Sequence, residues 1–399
     1  MVSGTIVAIR SGWPAPRERR GTIPARRARG TLPMTADTAT TMPAVAVRPG
    51  QAHSLHATRI PRPSAGPGQV LVDVIRVGVC GTDQEIIEGA IGAPPTDADA
   101  LVLGHEVFGR VAALGEGVRG WEVGEFVTNT VRRPGGCDPC QSGQADFCDD
   151  LAYSEYGIFG LNGFMTEQFV EDPQRLVRVP PHLSEIGILT EPLSVVEKAL
   201  QQATLIQQRI EGWQPRTGLV IGAGPIGLLG TLLLRSRGLE TVTVARRAAP
   251  NRPAEIIEAA GGHYASVRET SLTEIAAGLP PIDLVFECSG NAGMAFEAAR
   301  VLGNNGVLVL LSLTPAGIVE PIDIGAVNRE FVLGNKVMVG SVNSSKIHFE
   351  MGVADLERFE VAWPGLSSRL ITRRLPGFAS WEQIVQREAD GIKTVIEVG

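Results

Sequence analysis

The 399-residue sequence has only five cysteines, too few to staple a chain of this length, so a disulfide scaffold is excluded. It has no positive charge excess either. Lys and Arg number 36 against 43 Asp and Glu, and the resulting −7 argues against a nucleic-acid binder. The N-terminus lacks the apolar core that a secretory signal needs. An uninterrupted membrane span is also missing. The 18 uncharged residues from Thr217 to Leu234 reach the threshold length, but Gly218, Gly222, Gly224, Pro225, Gly227 and Gly230 lie within them. A strand, a glycine turn and a buried helix explain that composition better. The expectation is a soluble, cytoplasmic protein with neither nucleic acid nor membrane as partner.

What remains is ordinary globular composition, with 44% hydrophobic and 20% charged residues, long enough for about two domains. Glycine (47) and proline (27) are abundant without any period, which points to turns and close backbone approaches. The charge is uneven. Residues 1–33 hold seven arginines and only Glu18 as an acid, a local +6 that leaves −13 for the rest. With four prolines and no helical period, this leader reads as a disordered tail, or as an upstream start with Met34 or Met42 as the first residue translated.

Beyond residue 43 short strands alternate with turn signals. Gln69 to Val79 alternates apolar and polar residues, and Val107 to Ala113 and Glu122 to Asn129 read likewise. A helical period begins at Ser184, read as a cap, and runs through Val196 and Leu200 toward Ile210. From Leu219 the pattern changes to strand and helix in alternation: LVIGAG, TVTVAR, DLVFEC and GVLVLL, with helices at 225–237, 253–260 and 291–302. That alternation predicts a parallel sheet covered on both faces. LITRRL and TVIEV supply two late strands. The fold class is therefore α/β: a β-rich domain followed by a doubly wound one, with the chain end free to return to the first.

Gly222-Ala-Gly224-Pro225-Ile226-Gly227 sits between an apolar strand and a helix, the context that makes such a motif a dinucleotide site. The first glycine allows the turn, the second admits the pyrophosphate, and the third lets helix and strand pack. The helix N-terminus offers N–H groups to phosphate. Where an NAD site shows a carboxylate, about 20 residues on, this chain has Ala245-Arg246-Arg247. Two guanidiniums accommodate a 2′-phosphate through charge-assisted bonds, so NADP is expected, with NAD as a second cofactor.

Cys80-Gly-Thr82-Asp83 ends one strand, and Gly104-His105-Glu106 opens a later one. A thiolate, an imidazole and a carboxylate form the ligand set of a catalytic zinc with an open position. Glu191, at the start of the long helix, is a further acid within reach of such a cleft. Taken singly, each also fits a core cysteine, a satisfied histidine or a surface glutamate.

The segments CGTD, LGHEVFG, TEPLSVVEKAL, VIGAGPIG and GSVN, in this order, resemble the zinc-dependent medium-chain dehydrogenase/reductase family, and within it the glucose 1-dehydrogenase branch. The resemblance runs from about residue 43 to the C-terminus. It implies a GroES-like catalytic domain and a Rossmann cofactor domain. The expected limits are an extension at 1–40, a catalytic domain at 41–195 completed by 346–399, and an NADP-binding domain at 196–345. The resemblance makes Cys80, His105 and Glu106 the ligands of a catalytic Zn2+ and Glu191 a ligand or substrate contact. Thr82 becomes a catalytic proton relay at the substrate. Glu155 and Asn343 match positions that touch the sugar, Asn343 also lying near the nicotinamide, and Arg246 and Arg247 match contacts to the 2′-phosphate. It further implies a homo-oligomer, dimer or tetramer, joined through the nucleotide domain.

Cys137, Cys140 and Cys148 resemble the family's structural zinc motif, whose fourth cysteine is Pro134 here. Proline ligates no metal, so either another group completes a three-cysteine site or the lobe holds without metal. Cys288 reads as a core cysteine. The loop Leu333 to Lys336 lacks a histidine that the branch often places near the substrate. The implied reaction is oxidation of an aldose at C1 to its lactone. A polyol or secondary-alcohol dehydrogenase is the nearest rival, and a non-catalytic NADP-binding sensor the rival from another class. The joint presence of Cys80, Thr82, His105 and Glu106 argues against the sensor.

Overall fold

A computed structural model describes residues 40–399 except 315, 316, 320 and 387, so the N-terminal extension, apart from Thr40, lies outside the described residues. The strand expected from Gln69 is found at Val70–Val79, with Val70, Val72 and Val74 buried on one face as the alternation requires. It is central in a seven-stranded sheet. Glu106–Leu114 pairs antiparallel on one side, followed by Phe126–Asn129 and Leu176–Arg178. On the other side lies Lys393–Glu397, itself paired with Ile371–Pro376. The chain end thus does return to the first sheet. Arg76 secures the return, its Nε 2.8 Å from Glu397.

Two expectations change. The strand predicted from Glu122 begins only at Phe126, because Gly124 at φ +98° turns the chain before it. Ser184 does not cap the long helix, which spans Thr190–Gln207. Pro192 sets that start: without an N–H it is tolerated only in a first turn, so two short 3₁₀ turns precede the helix instead.

The second sheet is wholly parallel. Its strands Thr217–Ile221, Glu240–Ala245, His263–Ser266, Ile282–Glu287, Leu302–Leu310 and Val337–Gly340 lie in the order third, second, first, fourth, fifth, sixth. That is the doubly wound arrangement with a switch point beside the first strand. The apolar run that reached membrane length resolves into the strand Thr217–Ile221 and the helix Pro225–Ser236. Among the described residues no helix is long and apolar enough to cross a membrane. The helix Thr190–Gln207 packs against both Pro225–Ser236 and Lys346–Ala362, and its first turn carries Glu191.

Candidate active site and metal centre

The strand Val70–Val79 delivers Cys80 in extended conformation to the N-cap of the helix Gly81–Ile87. There the thiol does what a serine hydroxyl usually does, accepting from the backbone N–H of Thr82 at 3.3 Å. Asp83 reciprocates, its carboxylate accepting from the Cys80 N–H at 2.9 Å. The neighbouring antiparallel strand, in register Gly78 opposite Glu106, then brings His105 and Glu106 to the same end of the sheet. Cys80 Sγ lies 3.0 Å from His105 Nε2, and one ligand atom each of Cys80, His105 and Glu106 falls within 4.8 Å of the others. The convergence depends on Gly78. A Cβ there would meet Glu106 Oε2 at 2.0 Å, so only glycine lets that carboxylate cross its partner strand.

The electrostatics suit a cation. His105 and Glu106 are buried, while Cys80, Thr82 and Glu191 are half-buried toward the cleft. Glu106 Oε2 has no hydrogen-bond partner among the described residues, an expensive state for a buried carboxylate oxygen unless a cation meets it. Its other oxygen contacts Lys393 Nζ, which also donates to the Val79 carbonyl at 3.1 Å. Burial alone would lower the Lys393 pKa, but Glu106 and Cys80 hold it above its ordinary value. Burial would likewise depress His105, yet Cys80 and Asp83 raise it well above the histidine range. Burial, then the Glu106 charge, pushes Glu191 up to about 7. One thiol and several acids face one lysine and one histidine. Cys80, His105 and Glu106 thus fit a zinc ion, with Glu191 close by.

Two residues that complete this centre were not assigned from the sequence. Asp83, fully buried, faces His105 Nδ1 at 3.6 Å, leaving Nε2 toward Cys80. It stands in the quoted CGTD, and its position three residues past a cap was a readable signal. Lys393 lies 287 residues from Glu106 and no local pattern points to it.

Glu155 and Asn343, expected at the sugar, are brought together. Asn343 Nδ2 donates to Glu155 Oε1 at 2.7 Å, and Arg132 Nε donates to the same oxygen at 2.9 Å. Asn343 adopts φ +58°, a left-handed conformation that asparagine tolerates. Arg132, which lies 3.6 Å from the Tyr153 ring centroid, is a further unpredicted contributor.

At the nucleotide turn Gly222 has φ +103°, and Gly224, the N-cap of Pro225–Ser236, would meet nothing within 4 Å of an added Cβ. That open backbone is what a pyrophosphate needs. Gly227 serves packing, since its Cβ would lie 1.9 Å from the Gly222 carbonyl. Gly227→Ala is expected to cost about 1–3 kcal/mol of stability by overpacking and to weaken NADP binding, measured as thermal shift with and without NADP. An unchanged shift would show that the turn does not carry the nucleotide. Pro225 and Ile226 open the helix as expected, and Arg246 and Arg247 stand exposed just past the strand Glu240–Ala245. Arg247 is engaged by the Asp390 side chain and the Ala389 carbonyl, from the C-terminal segment.

Cys137, Cys140 and Cys148 also converge, as a separate cluster with Sγ atoms within 4.8 Å of one another. Cys288 is half-buried and packed against the core, with burial raising its thiol pKa. Leu333 to Lys336, expected as a loop, is instead the end of the helix Ile324–Gly334 and its left-handed cap Asn335, after which Lys336 Nζ turns to the Arg300 carbonyl at 3.2 Å.

Residues 66–181 match the alcohol dehydrogenase GroES-like domain, and residues 184–398 match the glucose dehydrogenase C-terminus. The glucose 1-dehydrogenase of Methanocella arvoryzae is 41% identical over 90% of this chain and 100% of its own length. That of Thermoproteus tenax is 40% identical over 90% and 99%. Among solved structures, Haloferax mediterranei glucose dehydrogenase in complex with NADP, Zn and gluconolactone superposes with a TM-score of 0.82, at 34% identity over 90% of this chain and 99% of that one.

Proposed function

From the premise that this chain belongs to the zinc-dependent medium-chain dehydrogenase family, in its glucose dehydrogenase branch, we propose that it oxidises an aldose at C1 to the lactone with NADP as acceptor. The observation that carries the reading is the convergence of Cys80, His105 and Glu106. What the bound groups supply is Lewis acidity at the C1 hydroxyl and a hydride acceptor beside it.

The chain's residues do the rest. Cys80, His105 and Glu106 would hold the zinc, Asp83 faces the histidine ring across 3.6 Å as a charge partner, and Lys393 offsets the charge of Glu106. Thr82 receives the proton that leaves the C1 hydroxyl and passes it outward. Glu191 and Glu155 accept hydrogen bonds from sugar hydroxyls, and Asn343, fixed by Glu155, orients the sugar next to the nicotinamide. Gly222, Gly224 and Gly227 shape the pyrophosphate turn, while Arg246 and Arg247 hold the 2′-phosphate. In this reading residues 41–195 with 346–399 form the catalytic unit and 196–345 the cofactor unit. A homo-oligomer is supported by the edge strand Val337–Gly340 and by Ile324, Val332 and Leu333, exposed on the helix Ile324–Gly334 that precedes it in the chain.

NADPH formation with a panel of aldoses and polyols, before and after chelation, tests the reaction. Oxidation of sorbitol but not glucose would overturn the substrate, and no turnover of any alcohol with zinc bound would overturn the enzyme. For the cofactor, the double variant Arg246→Ala, Arg247→Ala is expected to raise KM for NADP about tenfold or more and leave KM for NAD nearly unchanged, each charge-assisted bond contributing about 1.5–3 kcal/mol. Equal losses with both cofactors would place the 2′-phosphate elsewhere.

A further inference from the structure

The strands Arg132–Arg133 and Ser154–Tyr156 pair antiparallel with Arg132 directly opposite Glu155. Cross-strand partners stand roughly 5 Å apart at Cβ, so their side chains can meet. Here they do. Arg132 Nε donates to Glu155 Oε1 at 2.9 Å, with the two side chains only 5% and 6% exposed. The guanidinium is held on two further sides, 3.6 Å from the Tyr153 ring centroid and with Nη1 3.4 Å from the Ala145 carbonyl. The Glu155 backbone is fixed as well. Its N–H donates to the Phe159 carbonyl at 2.7 Å, and its carbonyl accepts from the Phe159 N–H at 3.0 Å.

Asn343 Nδ2 is a second donor to Glu155 Oε1, at 2.7 Å, while its own Oδ1 accepts from the Ser344 N–H at 2.7 Å. A carboxylate oxygen has two lone pairs, so Oε1 is filled. Oε2 accepts no hydrogen bond among the described residues. We propose that Arg132 is a positioning residue for sugar selection: by filling Oε1 together with Asn343, it leaves Glu155 Oε2 as the one oxygen offered to substrate hydroxyls. The proposal rests on the reading of Glu155 as a sugar contact and deepens it. A carboxylate oxygen accepts and cannot donate, so a sugar that brings no hydroxyl there leaves it unpaired and is rejected. None of the Arg132 contacts reaches the zinc ligands or the nucleotide turn.

The test is steady-state kinetics of the zinc-loaded enzyme with NADP and glucose or its 2-, 3-, 4- and 6-deoxy derivatives, read as preference in kcat/KM for glucose over each derivative. Wild type is expected to reject at least one derivative by about tenfold or more. Glu155→Gln should lose that preference, because Arg132 and Asn343 would hold the amide oxygen and turn the NH2 toward the sugar. Arg132→Met should raise KM for glucose about tenfold with kcat nearly unchanged, and abolish the same preference. Arg132→Lys keeps the charge but not the planar fork, so it should fold like wild type and still lose most of the preference. In the Glu155→Gln background, which strands no charge, Arg132→Met should add little. A preference retained by both Arg132 variants would overturn the proposal. So would a full further loss in the double variant, since Arg132 would then act independently of Glu155. A preference absent from wild type, or left intact by Glu155→Gln, would instead strike the sugar contact of Glu155 and the role of Arg132 with it. Turnover of no aldose by wild type would strike the reaction itself.

Discussion

Cys80→Ala is expected to lower kcat/KM for the sugar by about a thousand-fold or more while leaving NADP affinity nearly intact. A metal that polarises a hydroxyl contributes several kcal/mol to transition-state stabilisation, and each 1.36 kcal/mol is a factor of ten. Removing the thiol takes away the ligand that also abuts His105 Nε2 at 3.0 Å, so the remaining imidazole and carboxylate no longer fix the ion. The nucleotide turn does not share that dependence. Its sheet has a core of its own, including Leu219, Ile221, Val242, Val244, Val285 and Leu308. NADP titration of the variant, followed by fluorescence beside the rate measurement, separates the two effects. Loss of turnover together with loss of NADP binding would mean that the centre at Cys80 is structural rather than chemical.

The second large effect concerns stability. Lys393→Met is expected to destabilise chelated protein by about 3–5 kcal/mol, because it leaves the buried Glu106 carboxylate without its cation. Both partners are essentially inaccessible to solvent, at 1% exposure each, so water cannot replace the lost ammonium. The shift is read from the denaturant midpoint. Glu106→Gln in the Lys393→Met background should recover part of it, since the amide removes the stranded charge. A shift below about 1 kcal/mol, the range of an exposed ion pair, would show that Glu106 has another partner.

Some of this was readable in the residues because it is local. The Gly222–Gly227 turn needs only a strand before it and a helix after it, and both lie within twenty residues. The same holds for the alternation in Val70–Val79 and for Pro192, whose demand for a first turn is local and outweighs Ser184 as a cap. The candidate ligands were legible as residue types, and resemblance put them in one site.

What sequence alone could not supply was distance. Residue types and short periods determined that this chain would build a β-rich portion, a doubly wound sheet and a nucleotide turn with two arginines. Only the tertiary structure decided which groups meet. The antiparallel register of Gly78 with Glu106 sets the Cys80–His105 contact. The return of Lys393–Glu397 to the first sheet brings a lysine 287 residues away onto Glu106. Each depends on pairing between segments distant in the chain, where the free energy comes from burying both partners together, and no local pattern records that in advance.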